Sequence, residues 1–190
     1  MIPTSVDVAR LLADAFERSG IDYAIGGALA LGYYSTPRAT VDVDINVFVA
    51  VASGLEDALR VLAAAGFEPD DPTTLRRTAT EDGQFRGRVS GVRVDVFVPA
   101  IQFYASLNER KRLVTLLDRP IYIVGPEDLL ILKLMFFRRK DLADAEAVLI
   151  GREPLDLDRI RATLVEFVGE DDPRVAEWDE LVRETRGDRP

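Results

Sequence analysis

The stretch IGGALALGYYSTPRATVDVDINVFV (25–49) decides how this chain is read. Val41, Val43, Ile45, Val47 and Val49 alternate with Asp42, Asp44, Asn46 and Phe48, the two-residue period of a strand that buries one face. Just upstream, DYAI (22–25) reads as a short strand running into Gly26-Gly27. ALALGYY then reads as a short helix, closed by the Ser35-Thr36-Pro37 loop. A glycine pair between strand and helix admits close backbone approach, and the helix start offers free N–H groups to an anion. Simple packing at a strand-to-helix turn is the other use of such a pair.

Asp42 and Asp44 leave the strand on the same side, their Cα atoms roughly 6–7 Å apart. Two ionised carboxylates that close repel, so either one takes a proton or a cation sits between them. A lone D-x-D on an exposed strand says little. It gains weight from QFRGRVS and VRVDVFV, which flank Ser90-Gly91 as the arms of a hairpin. A two-residue turn there pairs Val89 with Val92, Arg88 with Arg93, and Arg86 with Asp95. The valines then face a core, and Arg86, Arg88, Arg93 and Asp95 share the other surface. A slip of one residue would reverse this. The arginines serve either a polyphosphate beside the acids or, for Arg86, an ion pair with Asp95.

The remaining pattern gives an α/β (α+β) chain. Val8, Leu11, Leu12, Ala15 and Phe16 mark a helix capped by Thr4 or Ser5 and stopped at Gly20. Ser53 and Glu56 form a capping box for a helix reaching Gly66. A polar loop at 69–73 precedes a strand near 75–80. A helix over 101–107 leads to two short strands, RLVTLL and PIYIV. Gly125-Pro126-Glu127-Asp128 starts a helix, with proline at its first position and acids in its first turn. DLADAEAVLI makes another helix ending at Gly151, and two weaker ones follow over 156–168 and 173–186. Lys133 is the one charge in LLILKLMFF, so it needs a phosphate, a carboxylate such as Asp95, or a path to solvent. Asp141 reads either as a functional acid or as a helix cap with Asp144 in the first turn. Tyr33, Tyr34 and Trp178 serve either a stacked base or a core.

With no cysteine and no histidine, the 190 residues have no thiol chemistry, no imidazole base and no imidazole metal ligand. Any metal must sit on oxygen, which favours Mg2+ or Mn2+. No apolar run is long enough to span a membrane, and MIPTSVDVAR lacks the basic and apolar parts of a signal peptide, so a cytoplasmic protein is expected. The net charge is −9, of which residues 153–190 carry −6 through 12 acidic and 6 basic side chains. The first 152 positions are therefore nearly balanced, which leaves room for a local basic groove.

The order GG, short helix, PRAT, DVDI and a later VDVF resembles the nucleotidyltransferase superfamily of DNA polymerase beta. The segment DLLILKLMFFRRKDLADAEAVL resembles the later Lys and Asp motif of AbiEii-type toxin nucleotidyltransferases; together the two likenesses span about 25–149. The resemblance implies a mixed sheet with helices on one face. It implies a nucleotidyltransferase-like core over 1–125 and a C-terminal helical segment over 126–190 packed on it. It implies transfer of a nucleoside monophosphate from an NTP to an acceptor hydroxyl. Gly26 and Gly27 would hold the triphosphate, and Asp42, Asp44 and Asp95 would be the catalytic, metal-holding acids, on Mg2+ or Mn2+. Lys133 and Asp141 would fall in the later motif, and Arg38 and Arg86 would contact substrate unless Arg38 merely pins its loop. The acceptor would be an RNA 3′ end, by likeness to the toxins, or else a small molecule or a protein hydroxyl. A protein partner of the toxin–antitoxin kind belongs to the same expectation, and no membrane does. The alternative is a non-catalytic nucleotide- or partner-binding member of such a pair.

Overall fold

The computed structural model describes residues 3–116, 118–151 and 154–187. Helix α1 (Ser5–Ser19) opens the chain. Thr4 accepts the Asp7 N–H at 3.2 Å while Asp7 accepts the Thr4 N–H at 2.9 Å, a reciprocal cap that satisfies two helix-end donors. Strand β1 (Asp22–Ile25), helix α2 (Gly27–Tyr34) and strand β2 (Asp42–Phe48) follow as the alternation and the glycine pair lead one to expect. Then come α3 (Val51–Ala64), β3 (Phe67–Pro69), α4 (Leu75–Glu81), β4 (Gln84–Val89), β5 (Val92–Phe97), α5 (Gln102–Arg110), β6 (Arg112–Leu116) and β7 (Arg119–Ile123).

The seven strands form one mixed sheet, in the order β3-β4-β5-β2-β1-β7-β6. β2 runs parallel to β5 and antiparallel to β1, so the strand bearing Asp42 and Asp44 lies in the middle of the sheet. Val43, Ile45, Val47, Val94, Val96 and Val98 are all buried on one face, where α1 packs against β1, β2, β5 and β7. Toward the far end of the opposite face, Tyr104 of α5 stacks on Phe97 with ring centroids 6.1 Å apart. Asn108 and Lys111, at the end of α5, bond Asp22 at 3.2 and 2.6 Å. The other end of that face carries Asp42, Asp44 and Asp95.

Two local expectations need correction. Residues 75–80 are helix α4 rather than a strand, and Thr78 and Thr80 return their hydroxyls to carbonyls four residues back. The capping box at Ser53 and Glu56 does not form. Helix α3 starts at Val51, so Ser53 is already inside it, and Glu56 instead pairs with Arg76 at 2.6 Å.

The chain clusters into two compact units, one comprising Met1–Ala30 with Arg38–Val124 and the other Leu31–Pro37 with Gly125–Pro190. Residues 31–37 thus belong with the second unit although they lie early in the chain. That unit holds α6 (Pro126–Phe136), α7 (Arg139–Ile150), α8 (Leu157–Val168) and α9 (Pro173–Arg186). Proline begins α6 after Gly125, and Asp156 and Asp172 cap α8 and α9 with their side chains. Leu130, Ile131, Leu134, Ile160, Leu164 and Trp178 form its core. Tyr34 is buried too, while Tyr33 is exposed, so of the three aromatics only Tyr33 remains open to a ligand.

Candidate active site

The hairpin register is the one read from the turn: Val89 opposite Val92, Arg88 opposite Arg93, Arg86 opposite Asp95. In the parallel ladder, Asp44 lies opposite Asp95 and Asp42 opposite Arg93. Neighbours across a ladder point to one side, so Asp42, Asp44 and Asp95 share a sheet face with Arg86, Arg88 and Arg93. The alternating burial of β4 and β5 agrees, with Val89, Val94 and Val96 buried and the charged residues half-buried or exposed.

The glycine turn meets the same face. Gly26 N–H donates to the Asp44 carbonyl at 2.8 Å. Gly27 has a φ of +54°, and a β-carbon there would collide with the Asp44 carboxylate. Only glycine lets the first turn of α2, which follows β1, come this near an acid on the adjacent strand β2. The spacing of 17 residues between Gly27 and Asp44 is taken up by α2 and its loop, with Arg38 exposed in that loop. Asn46 completes the row, a residue the sequence reading passed over. It is 3% exposed, its amide donates to the Ala24 carbonyl at 3.4 Å, and its Oδ1 has no partner among the described residues. Its signal was present in the sequence, since it continues the Asp42, Asp44 spacing by two.

Asp95 is occupied. Arg86 Nε donates to one carboxylate oxygen, and Arg93 lies 3.2 Å from the other. Asp95 is 13% exposed, against 57% for Arg86 and 39% for Arg93, so two more exposed guanidinium groups cover a shielded acid. The donor chemistry of Asp42, Asp44 and Asp95 suits a hard cation. In this arrangement, however, no three acidic side chains among the described residues form a group able to hold a metal ion. The Asp95 carboxylate is thus taken up by Arg86 and Arg93, while Asp42 and Asp44 lie along the same sheet face.

Beside Asp95 and Arg86 lies an open pocket of about 280 Å³. Asp70, Asp71 and Asp82 line it, together with Thr74, Thr78 and Phe85. Asp71 takes hydrogen bonds from the Thr73 and Thr74 hydroxyls and amides, which hold its carboxyl at about 2. Reading 75–80 as a strand hid this wall of α4.

Lys133 and Asp141 meet within the helical unit. The Lys133 ammonium sits 2.7 Å from Asp144 and 3.3 Å from Asp141, and all three residues are buried. Asp141 is not the cap of α7. It occupies the third helical position and accepts from the Arg138 N–H at 3.3 Å and from Arg138 Nε at 2.5 Å. Burial alone would raise the Asp141 carboxyl, but hydrogen bonds from Arg138 and the nearby positive charges outweigh it and hold the value low.

This sheet, with its glycine turn and paired acids, has the fold of the nucleotidyltransferases. The antibiotic-resistance factor ANT(2'')-Ia, in its solution structure, aligns with a TM-score of 0.63 at 12% identity, over 97% of this chain and 100% of that one. A nucleotidyltransferase-like protein from Paracoccidioides brasiliensis aligns at 0.55 and 20% identity, over 91% and 92%. The lincosamide antibiotic adenylyltransferase LnuA aligns at 0.51 and 13% identity, over 74% and 94%. No family model matches the chain, and no curated protein matches it by sequence.

Proposed function

We propose that the chain is a nucleotidyltransferase that moves a nucleoside monophosphate from an NTP to an acceptor hydroxyl. The observation that supports this best is the alignment of Asp42, Asp44 and Asp95 on one sheet face, with Gly27 fitted against Asp44. The turn at Gly26 and Gly27 and the start of α2 would receive the triphosphate. The acceptor oxygen would attack the α-phosphorus in line, the bond from that phosphorus to the bridging oxygen would break, and pyrophosphate would leave. The hydroxyl proton would pass to Asp95 or to water. Such chemistry depends on positioning and on charge stabilisation, so the lack of histidine is no obstacle. Mg2+ or Mn2+ is the cation that all-oxygen donors would take with the nucleotide, with Asp42 and Asp44 as its first holders.

For the acceptor we favour a small molecule over RNA. The pocket next to Asp95 presents Asp70, Asp71 and Asp82, which would repel a phosphate backbone and welcome a neutral or cationic alcohol. Two of the fold neighbours fit that choice: ANT(2'')-Ia is known in complex with adenylyl-2''-tobramycin, and LnuA in a lincomycin-bound form. The toxin-like reading with an RNA 3′ end or a protein partner rests on the helical motif alone. A non-catalytic binding module is the second reading, favoured by the arginines that occupy Asp95.

The test is incubation with Mg2+ and each α-labelled NTP, with total RNA and with a panel of amino-alcohols and amino-sugars. Label on a small molecule is the expected result. Label on RNA would overturn the choice of acceptor. Mg-NTP binding without transfer or hydrolysis would favour the binding module, and absence of Mg-NTP binding would overturn both readings.

A further inference from the structure

We propose that Asp95 is a gated third carboxylate. Arg86 and Arg93 hold it closed while the nucleotide is absent, and it joins Asp42 and Asp44 only when the phosphates of Mg-NTP draw those guanidinium groups away. The inference rests on reading this face as a nucleotidyl-transfer site.

Asp95 stands between two strands with opposite demands. On one side Asp44 is its ladder neighbour, with Asp42 two residues along; on the other side Arg86 is its neighbour across the hairpin. Strands lie about 4.8 Å apart, so without a cation three carboxylates would be crowded on one face. Their repulsion turns Asp95 toward Arg86 and Arg93, which answers why no metal-holding group of acids is formed.

The latch is built to open. Arg86 is 57% exposed, so its guanidinium can trade one carboxylate for another anion; Arg93 is 39% exposed, with its Nε buried and its outer nitrogen on Asp95. Guanidinium groups bind phosphate oxygens in a two-pronged fashion, and a triphosphate offers more charge than one carboxylate. Their departure would leave Asp95 facing Asp44 with the repulsion unrelieved, which is the condition under which a divalent ion binds best. Cation and nucleotide therefore promote each other's binding, and this coupling must be reciprocal. Arg88 supplies an internal control. It lies on the same strand face two residues from Arg86, but its guanidinium bonds the Gly91 carbonyl at 3.1 Å.

The experiment measures Mn2+ binding to the nucleotide-free protein by the loss of the free-ion paramagnetic resonance signal. Wild type, R86Q, R88Q, D95N and R86Q/D95N are compared, with thermal midpoints recorded for each. R86Q is expected to tighten Mn2+ by at least about fivefold, and R88Q, which removes the same formal charge, by less than about twofold. In the D95N background the effect of R86Q should vanish, which marks a coupling between the two residues. Equal effects of R86Q and R88Q, or a full R86Q effect without Asp95, would reduce the arginine to a general charge and overturn the gate. Should R86Q unfold, R86K, which keeps the charge and loses the fork, is the substitute and should tighten Mn2+ in the same direction. If wild type transfers nucleotide but R86Q binds Mn2+ no better, the gate fails alone. If no variant binds Mn2+ or Mg-NTP, the nucleotidyl-transfer reading fails with it.

Discussion

At Asp44 a backbone requirement and a chemical one coincide: its carbonyl takes the Gly26 N–H, and its carboxylate fills the space that a side chain at Gly27 would need. Asp44→Asn keeps that shape and removes the charge. Mg2+-dependent NTP binding and transfer should disappear, and the thermal midpoint should stay near wild type; full activity in the variant would remove Asp44 from the site. Asp71 gives a pH signature of a different kind. Hydrogen bonds, first from the Thr73 hydroxyl and then from Thr74, lower its carboxyl from the ordinary 3.8 to about 2. A carboxyl lowered in the folded state contributes stability that is complete above its unfolded value and fades as pH falls through the folded one. The difference in thermal midpoint between wild type and Asp71→Asn should thus be constant above pH about 5, narrow as pH falls toward the folded value of about 2, and close only below it. A difference that stays constant down to pH about 2 would remove that role.

Among the elements, the β4–β5 hairpin was the most legible, because a two-residue period and a Ser-Gly turn leave a single register that buries the valines. The pairing of Arg86 with Asp95 followed from that register alone. Helix α4 was illegible for a corresponding reason. Its threonines favour strands on propensity, and the turn that starts the helix depends on Asp71 bonding Thr73 and Thr74, a local geometry that no spacing announces. Helix α6 lies between these cases. The sequence shows that Lys133 must have a partner, but its partners come from α7, in a helix packing that periodicity does not specify. Lys133→Ala should remove the ammonium shared by the buried Asp141 and Asp144, leaving Arg138 on Asp141, at a cost of about 3–5 kcal/mol in denaturant unfolding. A loss below about 1 kcal/mol would show that solvent reaches those acids readily.

For the molecule as a whole, a net charge of −9 and an acidic pocket beside Asp95 set the terms on which partners approach. No measurable affinity for bulk RNA is expected in a mobility-shift assay at physiological salt. Binding energy directed to the native state must also appear as stability. Mg2+ with NTP at about a hundred times its dissociation constant should add about 2.7 kcal/mol, and Mg2+ alone much less. Equal thermal shifts with and without NTP would contradict a site that the two ligands complete together. Among the described residues no helix is long and apolar enough to cross a membrane.

The assignment of Leu31–Pro37 to the same unit as Gly125–Pro190 has a consequence for how the gene can be cut. The chain visits the second unit briefly, returns to lay down most of the sheet, and only then completes what it began. A ribosome therefore releases Leu31 and Tyr34, which are 2% and 4% exposed in the finished protein, long before the helices of their unit exist. Any shortened version ending near 124 would keep those two side chains and lose the rest of their unit, leaving a permanent apolar patch that invites aggregation. Swapping the helical portion between related chains would carry the same penalty unless the seven residues at 31–37 travelled with it.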